Sequence, residues 1–129
     1  MIVLDESIPP DEQAILKRWR ISTRHIGYGA GRKGMKDESI IPFLLRLRRP
    51  TFFTFDFDFY RRGLCHARYC LVCLSVEQYE AAVFIHRFLR HKQFNTEAKR
   101  MSAVTRVSHA GLSVWRLHSG EEEHLAWEN

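Results

Sequence analysis

Short apolar runs keep returning along this chain, with helix-spaced stretches between them, and that alternation limits the fold more than any other feature. Met1 to Leu4 reads as a buried strand that ends at Asp5. Pro9-Pro10-Asp11-Glu12 then opens a short helix, with proline at its start and acids in its first turn, and Ile15, Leu16 and Trp19 form its apolar stripe. Ile21 to Ile26 reads as a second, weaker strand, followed by a glycine-rich loop over 27–34. Asp37 to Leu47 reads as a helix, in which Pro42 is awkward because it removes a backbone donor. Thr51 to Asp58 is the third strand and Leu71 to Val76 the fourth. Glu77 to Arg90 is the best helix, with Ala81, Ile85, Phe88 and Leu89 lining one face. A helical turn or two is expected around Thr96 to Met101. Val104 to His109 and Leu112 to Leu117 flank Ala110-Gly111 as a β-hairpin. The expectation is an α/β fold: a central, mainly parallel sheet with helices on both faces, closed by the C-terminal hairpin.

With 129 residues, 45% of them apolar, the chain is the size of one domain with its own core, followed by an acidic tail at about 120–129. No apolar run is long enough to span a bilayer, so no membrane partner is expected. The start shows neither a basic n-region nor a cleavable apolar segment. Three cysteines, an odd count, fit a reducing compartment, and a cytoplasmic protein is expected. The net charge of +5 is unevenly spread. Residues 1–60 carry ten Lys/Arg against eight Asp/Glu, residues 61–116 ten against three, and Glu121, Glu122, Glu123 and Glu128 make the end acidic. A basic second half beside an acid-bearing first half suits a polyanion held near a metal.

Parallel sheets place their ligands beyond the C-terminal ends of their strands. Asp5 and Glu6 end the first strand, Asp56 and Asp58 end the third, and Asp37 opens the helix between the second and third. In an extended third strand, Thr54, Asp56 and Asp58 share one face, while Phe53, Phe55, Phe57 and Phe59 share the other. The two aspartates then lie roughly 7 Å apart, at about 3.3 Å per residue. Carboxylates in so aromatic a segment need neutralising, which a hard divalent cation with oxygen ligands does. Plainer readings exist: Asp37 as a helix N-cap, Asp58 as a solvated turn residue, and Glu6 as a neighbour of the site rather than a ligand. Asp5 and Asp56 both ending apolar strands is the harder coincidence to explain away.

These residues carry a resemblance. Met1-Ile2-Val3-Leu4-Asp5-Glu6-Ser7-Ile8-Pro9 resembles the opening of members of the PIN-like nuclease family, a hydrophobic strand followed by Asp-Glu-Asn-Leu-Pro. Asp37-Glu38-Ser39-Ile40 is similar to their Asp-x-x-Ile helix start, and Thr54-Phe55-Asp56-Phe57-Asp58-Phe59 to their Thr-x-Asp-x-Asp-Phe strand end. Order and spacing agree from Met1 to about Val76; Ser7 stands where Asn is usual, and Pro42 disturbs the helix after Asp37. The resemblance implies a PIN-like three-layer fold and a metal-dependent endoribonuclease. In it Asp5, Asp37 and Asp56 hold Mg²⁺ or Mn²⁺, Asp58 is a fourth catalytic acid, and Glu6 and Thr54 support them. Arg32, Lys33, Lys36, Arg61 and Arg62 are the candidate phosphate contacts. RNA is the implied partner, joined by an antitoxin protein if the chain is a toxin; a homodimer stays open.

Several rivals remain. A catalytically degenerate PIN-like module would bind RNA or protein without cutting. A receiver-like phosphoacceptor would use Asp5, Glu6, Asp56 and Ser75, although the lysine expected after the fifth strand has no counterpart here. Gly29-Ala30-Gly31-Arg32-Lys33-Gly34 fits a dinucleotide fingerprint, but a basic loop explains it better. Cys65, Cys70 and Cys73 echo an iron–sulfur spacing without a fourth cysteine, and Cys70 and Cys73 belong on opposite sides of a strand.

Overall fold

The computed structural model describes residues 1–26 and 37–127, and the side chain of Asp37 lies outside the described set. Along the chain come β1 (Ile2–Leu4), α1 (Pro10–Arg18), β2 (Thr23–His25), α2 (Asp37–Leu44) and β3 (Thr51–Thr54). Then follow β4 (Cys70–Ser75), α3 (Ala81–Arg90), α4 (Glu97–Arg100), β5 (Ala103–Ser108), β6 (Gly111–Arg116) and β7 (Glu123–Leu125). The strands form one seven-stranded sheet in the order β2-β1-β3-β4-β5-β6-β7. Every pairing from β2 across to β5 is parallel, and β6 and β7 add on antiparallel. The expected α/β class, mainly parallel sheet and hairpin are all present.

Alternation along the strands makes two cores. Leu4, Phe53, Val72 and Leu74 pack on one face against Leu16 of α1 and Ala82, Ile85 and Phe88 of α3. Val3, Phe52, Leu71 and Cys73 pack on the other against Ile40 and Leu44 of α2 and Phe59. Phe52 and Phe53 are both fully buried, one in each core, as period-two geometry requires.

The face each helix takes sets the hand of its crossover. From β2 to β3 and from β3 to β4 the chain advances across the sheet on the α2 face. From β4 to β5 it advances the same way, yet carries α3 on the α1 face. The β4–α3–β5 crossover is therefore opposite in hand to the two before it. Since about 98% of such connections are right-handed, this departs from an ordinary doubly wound domain. Glu12 holds α3 there: its Oε1, buried in α1, accepts the Ala82 N–H at 3.0 Å, so one helix caps the next.

One sequence expectation fails. The third strand stops at Thr54, four residues before Asp58. Asp56 accepts the backbone N–H of Asp58 on its own Oδ1 at 2.9 Å, which turns the chain into a 3-10 turn, Phe57–Phe59. Asp56 and Asp58 therefore do not alternate along a strand, and Phe57 is half exposed while Phe59 is buried. Within the acidic end, residues 123–125 form an added strand that the sequence does not suggest. β7 pairs with β6, and the Trp127 indole donates to Ser108 O at 2.7 Å while the Arg87 guanidinium lies 4.3 Å from its ring centre.

Smaller differences follow from local rules. The helix after Asp37 runs through Pro42 and ends at Leu44 rather than at Leu47; past that end the N–H groups of Arg46 and Leu47 donate to Phe43 O and Leu44 O in the i−3 pattern of a tightened last turn. The Glu77–Glu80 pair forms a capping box on a 3-10 turn, Gln78–Glu80, and α3 proper begins only at Ala81.

Candidate functional site

The strand order reverses between β1 and β3, because the chain goes from β1 out to β2 and returns past β1 to β3. A crevice at the carboxyl ends of strands forms where the order reverses. Asp5 follows the last residue of β1, which pairs with Phe53 of β3, and Asp56 lies just beyond the end of β3. These two carboxylates thus leave adjacent strands at the switch point.

Asp5 is buried, and its surroundings explain how a carboxylate stays there. Its Oδ2 accepts the Thr54 hydroxyl at 2.7 Å and the Ser7 hydroxyl at 2.8 Å, and its Oδ1 accepts the Glu6 N–H at 2.9 Å. The hydroxyls are themselves aimed: Thr54 Oγ1 accepts the Asp56 N–H at 3.0 Å, and Ser7 Oγ the Phe55 N–H at 3.3 Å. One polar network therefore ties the end of β1 to the turn after β3. It leaves Asp5 one unused acceptor position of the roughly four a carboxylate offers. Asp56 is half-buried; its Oδ1 takes the Asp58 N–H, and its Oδ2 accepts no hydrogen bond among the described residues. Asp58 and Glu6 are exposed.

The candidate phosphate contacts scatter. Arg61 is exposed, with Nε donating to Asp58 O at 3.0 Å, and shares a groove of about 610 Å³ with Glu38, Ile41, Pro42, Asp58 and Phe59. Arg62 lies over the Trp115 ring at 5.6 Å, on the α2 face of the sheet rather than at the carboxylate edge. Arg32, Lys33 and Lys36 lie outside the described residues. Tyr60 donates to the Glu122 carboxylate and has Arg106 over its ring. Burial and the Glu122 carboxylate push its hydroxyl far above the usual phenol range, against the pull of Arg106.

Oxygen donors are the chemistry of Mg²⁺ or Mn²⁺, and Asp5 and Asp56 supply them. Among the described residues, however, no three His, Cys, Asp or Glu side chains come together in a metal-holding group. The fit is thus partial, and Asp37 is the expected third ligand. The cysteines offer no cluster: Cys70 and Cys73 sit in opposite cores, and burial pushes both thiols up to about 12.

Ser7 and Glu12 take up roles that the sequence does not single out, Ser7 at Asp5 and Glu12 at the start of α3. Ser7 sits two residues after Asp5, a spacing at which a hydroxyl can reach back to the carboxylate. Glu12 gave no such signal, since its partner Ala82 is 70 residues away. Neither a protein-family model, nor a curated protein, nor a solved structure matches this chain.

Proposed function

We propose that this chain is a metal-dependent ribonuclease of the PIN-like type, hydrolysing RNA phosphodiesters with Mg²⁺ or Mn²⁺ held by Asp5, Asp56 and Asp37. The observation that carries this reading is the emergence of Asp5 and Asp56 from neighbouring parallel strands at the switch point. Thr54 and Ser7 fix the orientation of the Asp5 carboxylate, as supporting residues commonly do for metal ligands. The free Oδ2 of Asp56 faces no competing donor among the described residues. Arg61, exposed beside Asp58, is available to hold a phosphate. The metal, when bound, supplies charge stabilisation and an activated water at neutral pH. An antitoxin partner belongs to this reading only if the chain acts as a toxin.

A binding-only reading has one observation behind it. Asp5 already accepts three hydrogen bonds, so its carboxylate has a structural use without a metal. The receiver-like reading loses ground. An ordinary doubly wound domain keeps the helix after β4 on the α2 face, and here it lies on the other.

The discriminating experiment is a melting-temperature titration with Mg²⁺ and Mn²⁺. A ligand that binds only the folded state stabilises it by mass action. The wild type should gain stability, and Asp56→Asn should lose that gain while keeping its metal-free melting temperature within a few degrees. A gain retained in full by Asp56→Asn would put the metal elsewhere and refute the assignment.

A further inference from the structure

Charges are unevenly placed along the strand direction of this protein, with Arg61 and Glu97 as exceptions. Acids gather where the strands end and the helices begin: Asp5, Asp11, Glu38, Asp56, Glu77 and Glu80. Cations gather at the opposite edge, and the densest group lies past the end of α2 and before β4. There a groove of about 350 Å³ is lined by Arg46, Leu47, Arg48, Arg49, Ala67 and Arg68, with no acidic residue in its wall.

Helix dipoles explain part of the segregation but not this groove. A C-terminal cation is favoured within the last turn of a helix, and the last turn of α2 contains none. Arg46, Arg48 and Arg49 come after it, all three exposed. Arg68 Nη2 already donates to Leu45 O at 2.8 Å, which both serves the end of the helix and pins that guanidinium in place. The nearby Glu97 carboxylate is engaged by the Met1 amine. None of the four arginines has a salt-bridge partner among the described residues. The backbone at Arg49 is held at φ 49, a left-handed conformation that a non-glycine residue adopts at some cost. Four guanidiniums thus surround one small groove whose wall supplies no anion.

We infer that this groove binds the phosphodiester backbone of nucleic acid, at the edge of the sheet opposite the carboxylates. The guanidinium is the side chain whose planar fork matches a phosphate, and the cluster is built of arginine alone. Leu47 and Ala67 are its only apolar lining, too little for a membrane surface to take up. Contacts of this kind carry affinity and position without reading sequence. The site does not depend on the nuclease reading: it would hold RNA whether or not the carboxylate edge cuts it.

The test is fluorescence anisotropy with a labelled single-stranded RNA, in EDTA so that no cleavage intervenes, over a range of salt. The proteins are the wild type, a triple variant Arg46→Ala, Arg48→Ala, Arg49→Ala, and a control triple Lys17→Ala, Arg18→Ala, Arg90→Ala that removes equal charge elsewhere. Arg68 is left intact because of its structural bond. Three lost phosphate contacts should flatten the salt slope by about 2 and weaken binding about 100-fold at 0.1 M salt, at roughly 0.7 per contact. The control triple should stay within a few-fold of wild type. Equal losses in the two triples, RNA binding unaffected by the groove triple, or binding to anionic vesicles or polyglutamate in place of RNA would each overturn the inference.

Discussion

Asp5 is a carboxylate taken out of water at the end of a strand, and the two hydroxyls aimed at its Oδ2 are what make that tolerable. Removing one should leave the charge short of a donor. Thr54→Val is therefore expected to lower the unfolding free energy by roughly 1.5–3 kcal/mol, the range for hydrogen bonds to charged groups. Urea unfolding with an unchanged m-value would measure it, and a loss under half a kcal/mol would mean the network is slack. The cysteines give a second prediction at this scale. Burial raises Cys70 and Cys73 from the ordinary 9.0 to about 12, so in the native state both stay protonated where unfolded thiols ionise. Folded-state pKa values above the unfolded ones make stability complete below about pH 9 and cause it to fall as pH rises through 9–12. Iodoacetamide at pH 8 should leave both unmodified until the chain is unfolded, and their alkylation in the native protein would contradict the packing.

Between residues and molecule, the elements show where a sequence can be read and where it cannot. Strands β1 and β4 and helix α3 were legible because each buries an apolar pattern: Ile2 to Leu4 in β1, Leu71 to Leu74 in β4, and Ala81, Ile85 and Phe88 in α3. β2, Thr23-Arg24-His25, buries only His25 and is the weaker strand. The end of β3 was not legible, because Phe55-Asp56-Phe57-Asp58 alternates like a strand. The deciding interaction is instead local, the Asp56 carboxylate accepting the Asp58 N–H. β7 was missed for the opposite reason: Glu123-His124-Leu125 has little strand character, and pairing with β6 defines it. In the candidate site, the acids at the strand ends were visible from spacing, while Ser7's bond to Asp5 emerges only from the folded turn. The same hairpin offers a test. Gly111 adopts φ +149, and a Cβ there would meet the Leu125 carbonyl oxygen at 2.4 Å. Gly111→Ala should detach β7, lower the melting temperature and expose Trp127, with a red shift in its fluorescence. An unchanged melting curve would show that β7 contributes little. Glu12→Ala should act at a distance, destabilising α3 by about 1 kcal/mol through the lost bond to Ala82, and hydrogen exchange at that amide reports it.

At the scale of the whole molecule, the carboxylates at the strand ends and the arginine groove lie at opposite ends of the sheet, and the crossover β4–α3–β5 is opposed in hand to the two before it. That placement separates the two activities proposed here, metal-assisted cleavage at the carboxyl edge and backbone binding at the amino edge. The central claim is that Asp5, Asp37 and Asp56 hold a metal that cuts RNA. The direct measurement is cleavage of a labelled single-stranded RNA pool by wild type and by Asp5→Asn, Asp37→Asn, Asp56→Asn and Asp58→Asn, purified identically, with Mn²⁺ and with EDTA. The account predicts cleavage only with the metal. It also predicts losses of several powers of ten in Asp5→Asn, Asp37→Asn and Asp56→Asn, at about 1.4 kcal/mol of barrier per factor of ten, and a much smaller loss in Asp58→Asn. Cleavage that survives EDTA, or that is equal in wild type and Asp56→Asn, would contradict it and leave a protein that binds RNA without cutting it.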